Sequence, residues 1–324
     1  MGYDFMPMTC SVVRMLPVVL TALSAGIVCS QEYPSQPIRM IGSSPGGGSD
    51  LVMRLIAPTL KASLGQSVII DNRPSLLIGE IGFKAPPDGY TLIVVGNSFI
   101  TANLLRDTPW DPVRDFSPVT LADAGPSVLI VHPSVPVKSV KELIALAKAR
   151  PRELNYASGA PGSTAHLAAE LFRTMAGIAM VWVPYKDNGP GMMSMIAGET
   201  QVMFKDAAGV EPQMKAGRVR ALAVTSAQPS ALFPGLPTVA AAGVPGYEAL
   251  TIDAVLVPAK TPATIINRLN QEIVRALNEA NAKQTLFNSG VVVVGSSPEE
   301  LGIFLKSSVA RWGKVIKDSG IRVN

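Results

Sequence analysis

Apolar residues along the chain gather in short runs separated by stretches with helical spacing. Residues 38–41, 68–70, 90–95, 127–131, 179–184, 201–204, 219–224 and 255–258 read as strands. Helical patterns span 51–64, 140–150, 165–175, 191–198 and 263–281, and a last one runs from Ser297 to about residue 319. Ser139 caps the second of these and Pro151 stops it, and Pro262 opens the fifth. Strands alternating with helices predict parallel α/β sheets. Repeated Pro and Gly over 228–247 mark a connecting stretch. One β/α half comes first, a second sits in the middle, and helices end the chain. That order predicts one domain, 31–126 with 229–324, interrupted by another, 127–228, with a ligand between them at the strand C-termini.

Two junctions carry candidate chemistry. After the first strand, Gly42-Ser43-Ser44-Pro45-Gly46-Gly47-Gly48-Ser49-Asp50 forms a Gly-rich loop that opens a helix. Free backbone N–H groups at the positive end of a helix make an anion site without a charged side chain. The loop has no Lys and no G-x-G-x-x-G, so neither nucleotide-phosphate loop fits, and a small carboxylate suits it better. Ser158-Gly159-Ala160-Pro161-Gly162-Ser163-Thr164 repeats the grammar before the helix that carries His166, with Ser163 or Thr164 as cap. His166 either touches a ligand or packs. Two such loops suit a ligand gripped from two sides.

Composition sets the class. The chain has 324 residues, 48% hydrophobic and 16% charged, enough for two domains with large cores. A net charge of +4 is scattered, with no basic run beyond two residues, so no nucleic-acid partner is expected. Residues 15–28 are apolar, follow Arg14 and are too short to span a bilayer. With small residues around Cys29 and Ser30 they read as a signal peptide, 1–30, cleaved near Ser30. Cys10 and Cys29 both lie in it, which leaves a mature protein without disulfides, as suits a bacterial periplasm.

An enzyme is not expected. Gly42-Ser43-Ser44-Pro45-Gly46 matches the G-x-S-x-G nucleophile elbow, yet Pro45 has no N–H to build an oxyanion hole, and no histidine follows position 166. Two histidines and no mature cysteine argue against zinc, and no cofactor is implied. Asp187, Asp206 and Asp253 lie too far apart in sequence to declare a carboxylate pair, and Met192, Met193 and Met195 read as core filler.

The chain resembles the extracytoplasmic solute receptors of tripartite tricarboxylate transporters, the Bug receptors. The resemblance rests on Tyr33-Pro34-Ser35-Gln36-Pro37, Pro45-Gly46-Gly47-Gly48-Ser49-Asp50, Asn72-Arg73-Pro74, Pro87-Asp88-Gly89-Tyr90, Leu154-Asn155-Tyr156-Ala157-Ser158, Val183-Pro184-Tyr185-Lys186 and Leu236-Pro237-Thr238-Val239. It implies a two-domain periplasmic-binding-protein type II fold of α/β class that closes on a small carboxylate, with membrane permease subunits as partners and a monomeric state. It maps Pro45, Gly46, Gly47, Gly48, Ser49 and Asp50 onto one gripping loop, and Ser158, Gly159, Ala160, Gly162, Ser163 and Thr164, with His166 behind, onto the other. Asn97 and Ser98 fall at a cleft-lining strand end, Tyr185 and Lys186 at another, and Asp206 after a third. The chain departs from the family at Ser75-Leu76-Leu77-Ile78, at Lys205 in place of an acidic residue, and at Ile252-Asp253-Ala254 where a Trp is usual. A receptor that signals through a membrane histidine kinase, and a serine hydrolase at Ser44, are the rival readings.

Overall fold

The computed structural model describes residues 1–3, 33–159, 161–186 and 188–321. The signal-peptide reading from residue 4 onward, and Ala160 and Asp187, lie outside the described residues. The first half contains β1 (Ile38–Gly42), α1 (Gly48–Leu64), β2 (Val68–Asn72), α2 (Ser75–Lys84), β3 (Thr91–Gly96) and the short α3 (Asn97–Ile100) and α4 (Ala102–Leu105). A sixteen-residue strand, β4 (Phe116–Val131), leads to α5 (Val140–Ala149), β5 (Asn155–Ser158), α6 (Thr164–Ala176), β6 (Val181–Pro184), α7 (Asn188–Ala197), β7 (Val202–Asp206), α8 (Ala207–Lys215) and β8 (Arg220–Val224). The chain returns through β9 (Leu250–Pro258) and ends in α9 (Ala263–Leu277), α10 (Ala280–Asn288), β10 (Val292–Val293) and α11 (Pro298–Ser319).

The strands run in the order β2-β1-β3-β9-β4-β7-β5-β6, with β8 and β10 also on β4. The expected parallel pairing is present in β2-β1-β3 and in β7-β5-β6. It fails at the two long strands: β9 is antiparallel to β3, and β4 is antiparallel to β9, β7, β8 and β10. The physical reason is continuity. The first part of β4 pairs with β9, and the part from Ser127 onward pairs with β7 and β8, so a single strand enters both halves of the sheet and cannot follow the local β/α direction in each.

Side-chain alternation sorts the apolar runs onto two faces. Met40, Leu92, Val94, Val255 and Val257 face one core with Val52, Ile56 and Leu60 of α1 and Leu269 and Ile273 of α9. Ile41, Ile93, Val95, Ala254 and Leu256 face another, with Ile78, Phe99 and Trp110. Beyond residue 126 the same alternation sends Leu129, Val131 and Phe204 to a core with α6, and Val128, Ile130 and Met203 to one with Met192 and Met195. Met193, expected as filler, is instead exposed. The Pro/Gly stretch packs here too: Phe233, Val239, Val244 and Tyr247 are buried in this second pair of cores. The last helix serves both ends of the sheet. Leu301 and Leu305 sit with Phe99 and Trp110, and Trp312, Val315 and Ile316 sit with Tyr156 and Phe172. Its start, expected at Ser297, carries a capping box closed by Glu300.

The helix expected over 263–281 ends at Leu277. Glu279, in extended conformation, separates it from α10, which turns Leu286 back into the core that holds Leu269. Packing of Leu286 outweighs helical continuity there. No helix among the described residues is long and apolar enough to cross a membrane.

Candidate functional site

The loop between β1 and α1 is held by its own polar groups. Ser43 N–H and Oγ both meet Ser49 Oγ, at 3.0 and 2.6 Å. Gly46 N–H donates to Asp50 Oδ2 (2.9 Å), Arg54 Nε donates to the same oxygen (2.9 Å), and Asn72 Nδ2 donates to Asp50 Oδ1 (3.0 Å). Asp50 is buried with both oxygens engaged, so it shapes the loop. Arg54's hydrogen bond, with the Gly46 amide and Asn72 behind it, holds the Asp50 carboxyl down at about 2. Gly47 caps α1 without a side-chain bond. The first-turn amides of Gly48 and Ser49 therefore have no intrahelical partner. Asp50→Ala leaves three donors without their acceptor, and a loss of about 1–3 kcal/mol is expected in urea denaturation; an unchanged midpoint would contradict this role.

The second loop uses His166 as its pin. Of the two caps open from the sequence, Ser163 is the one used: its Oγ accepts from His166 N–H (3.3 Å). His166 Nδ1 accepts from Gly162 N–H (3.0 Å), and the ring stacks on Trp182 with centroids 4.0 Å apart. Burial pushes His166 down to about 4, which keeps the ring neutral and Nδ1 an acceptor. Gly162 has φ +77°, a left-handed conformation natural to glycine. Ser158 is buried, with Oγ accepting from Trp182 Nε1 (2.8 Å), and Gly159 N–H donates to Asn188 Oδ1 (3.0 Å). The amides of Thr164 and Ala165 have no intrahelical partner.

Both helix N-termini open on one cleft of about 340 Å³. Of the residues singled out from sequence, Gly48, Ser49, Asn97, Ser98, Ser163, Thr164 and Asp206 line it. Gly46, Gly47 and Asp50 line an adjoining chamber that shares Gly48, Asp206, Thr251 and Asp253 with the cleft. Asn97 lines the cleft as a buried tie: its Nδ2 donates to Leu250 O (2.9 Å) and its Oδ1 accepts from Ile252 N–H (3.1 Å). Pro45, Ser158, Gly159, Gly162, His166, Tyr185 and Lys186 are not in the lining. Tyr185 OH meets Ser194 Oγ (2.5 Å), and Lys186 is exposed. Ser75 and Ile78 of α2 line the cleft, so the segment that departs from the family is part of the wall. Ser127, Asn188, Phe204, Thr251 and Asp253 also line it and were not anticipated as site residues.

Lys205 lies outside the lining, and its Nζ donates to Asp206 Oδ1, which also caps α8. The pair that sequence distance hid is Asp123 with Asp253. They face each other in the β4–β9 register and are both buried. Burial pushes Asp123 up to about 7. It raises Asp253 well above the usual carboxylate range, with the facing Asp123 adding to the effect. The signal available in the sequence was a single acid inside each of two otherwise apolar strands.

Among the described residues the serine-hydrolase reading finds no constellation. Ser44 is exposed, His132 bonds Ser134 (2.7 Å), and His166 is buried against Trp182.

A family model described as the tripartite tricarboxylate transporter family receptor matches residues 52–321. Protein BugT of Bordetella pertussis is 34% identical over 312 residues, covering 94% of this chain and 96% of that protein. Among solved structures, Rpa4515 of R. palustris with adipate has 36% identity and a TM-score of 0.75, covering 90% of this chain and 99% of that one. MatC of Rhodopseudomonas palustris with bound malate has 25% identity and a TM-score of 0.73, covering 88% of this chain and 100% of that one.

Proposed function

This chain belongs to the tripartite tricarboxylate transporter receptor family, and from that premise we propose that its cleft captures a small carboxylate on backbone amides. It is a periplasmic solute-binding receptor of the two-domain α/β type, not an enzyme. The observation that carries the proposal is the convergence of two helix N-termini on one cleft, with Gly48, Ser49, Thr164 and Ala165 in its lining and their amides without an intrahelical partner. A helix terminus contributes ~0.3–2 kcal/mol to an anion. Micromolar affinity requires about 8 kcal/mol, so hydrogen bonds from Ser43, Ser98, Ser127, Ser163 and Asn188, some through water, supply the remainder together with closure.

Closure needs two lobes. The packing supports a first lobe of residues 33–126 with 250–297, and a second of 127–249, hinged where β4 and β9 leave their shared ladder. In this reading the chain returns to the first lobe at β9, after the Pro/Gly stretch. The closed receptor, exported after cleavage near Ser30 and acting as a monomer, delivers its ligand to membrane permease subunits of a tripartite transporter.

A thermal-shift series on the full chain with adipate, malate and other small carboxylic acids tests the reading. Ligand at one hundred times Kd stabilises by about 2.7 kcal/mol. Gly48→Val is the control. A Cβ at Gly48 runs into Asp253 Oδ2, so the variant crowds the α1 end of the cleft. Its ligand-induced shift is expected to vanish while the unliganded melt stays cooperative. A full shift in that variant would overturn ligand capture at the α1 end of the cleft.

A further inference from the structure

Among the described residues that line the cleft there is no Lys, Arg or His; its charged side chains are Asp206 and Asp253. The cations nearby are already engaged, Lys205 by Asp206 and Arg54 by Asp50. Behind Gly48 the adjoining chamber carries Asp123, whose two carboxylate oxygens are buried with no hydrogen bond of ordinary geometry, the Asp253 backbone N–H opposite only partly offsetting the cost of its charge. No group of three His, Cys, Asp or Glu among the described residues is placed to hold a metal ion. A buried, unpartnered carboxylate is costly unless it is protonated or meets a cation. The two helix N-termini also differ. Asp253 already lies against Gly48 at the start of α1, whereas the Thr164 and Ala165 amides of α6 have no carboxylate bonded to them among the described residues.

Resting on the receptor reading above, we propose that the ligand is an aminocarboxylate. Its carboxylate sits on the Thr164 and Ala165 amides, and its ammonium is received by Asp253, with Asp206 on the same wall and Asp123 behind. A dicarboxylate in the same pose would set its second anion against Asp253. Binding of an ammonium draws off the proton that Asp123 and Asp253 hold, so affinity rises with pH through about 7. The charged groups around that pair are Asp206 with Lys205 at the end of β7 and Asp50 with Arg54 on α1; β10, opposite Asp123 at Val293, brings none.

Isothermal titration of the full chain with acids matched in length decides the matter: 4-aminobutanoate against succinate, and 6-aminohexanoate against adipate. The amino acid of at least one pair is expected to bind roughly tenfold tighter or more, as close charge pairs across an interface do. Its affinity is expected to increase from pH 6 to 8, where that of a dicarboxylate does not. Asp253→Asn is expected to erase the preference, and Asp206→Asn to reduce it, which gives a second reading should the first variant fold poorly. Dicarboxylates that bind as tightly as their partners or tighter overturn this inference and leave the receptor reading intact. A preference that survives in both variants also overturns it. A folded protein that binds neither member of any pair, nor any other carboxylic acid, overturns both readings.

Discussion

Thr164→Pro is expected to weaken ligand binding by about one to two orders of magnitude, whereas Thr164→Ala changes it little. The contrast isolates a backbone N–H. Thr164 is the first residue of α6, where a proline's missing N–H and fixed φ are tolerated. The residue before a proline must be extended, and Ser163 already is, with φ −62° and ψ 155°. The proline therefore deletes one first-turn donor of a cleft-lining residue without breaking the helix, the Ser163 cap on His166 N–H or the His166–Gly162 bond. A hydrogen bond to a charged group contributes about 1.5–3 kcal/mol net, or roughly 10- to 150-fold in Kd. Circular dichroism should report unchanged helix content, and titration should report the loss. Equal affinity in the two variants would mean that the Thr164 amide does not meet the ligand.

The proposed recognition through amides accounts for which parts of the site were legible in the sequence. Glycines 46–48 and the Ser163 cap are local features: the residues that make the turn also free the N–H groups, and both are neighbours in the chain. The strands were legible for the same reason, since apolar runs such as Leu92-Ile93-Val94-Val95 fill two cores by simple alternation. What depends on register was not legible. Asp123 meets Asp253 only because β4 pairs with β9, and nothing local to either residue states that pairing. Lys205 left the cleft for a similar reason: strand alternation puts it on the other face from Phe204 and Asp206, and its long stem then reaches back to the Asp206 carboxylate. The α2 helix escaped because its N-cap, Pro74, has no side-chain oxygen to signal a start, and its two glycines lower its intrinsic propensity.

The buried acid pair sets the last expected result. Asp123→Asn should stabilise the unliganded protein at pH 8 by about 2–4 kcal/mol and should flatten its pH dependence. Asp123 titrates near the ordinary carboxylate value when unfolded, about 3.9, and is pushed up to about 7 when folded. Between those values the folded state holds more protons than the unfolded state, so this group's stabilisation is full below about pH 4 and is lost as pH rises through about 7. Asparagine stays neutral throughout, and its amide can donate to Asp253 across the ladder where two carboxylates now oppose. Two other groups act in the opposite direction. His166, held down at about 4, withdraws stability as pH falls from about 6.5. Asp50, held down at about 2, does so below about pH 4. Both are present in parent and variant alike and cancel in the difference. Urea denaturation of the two proteins at pH 5, 6.5 and 8 should therefore show curves that diverge as pH rises. Parallel curves would show that Asp123 carries no excess proton in the fold. They would also remove the electrostatic basis for an ammonium beside Asp253, because an acid pair that ionises freely has already found its counter-charge within the protein.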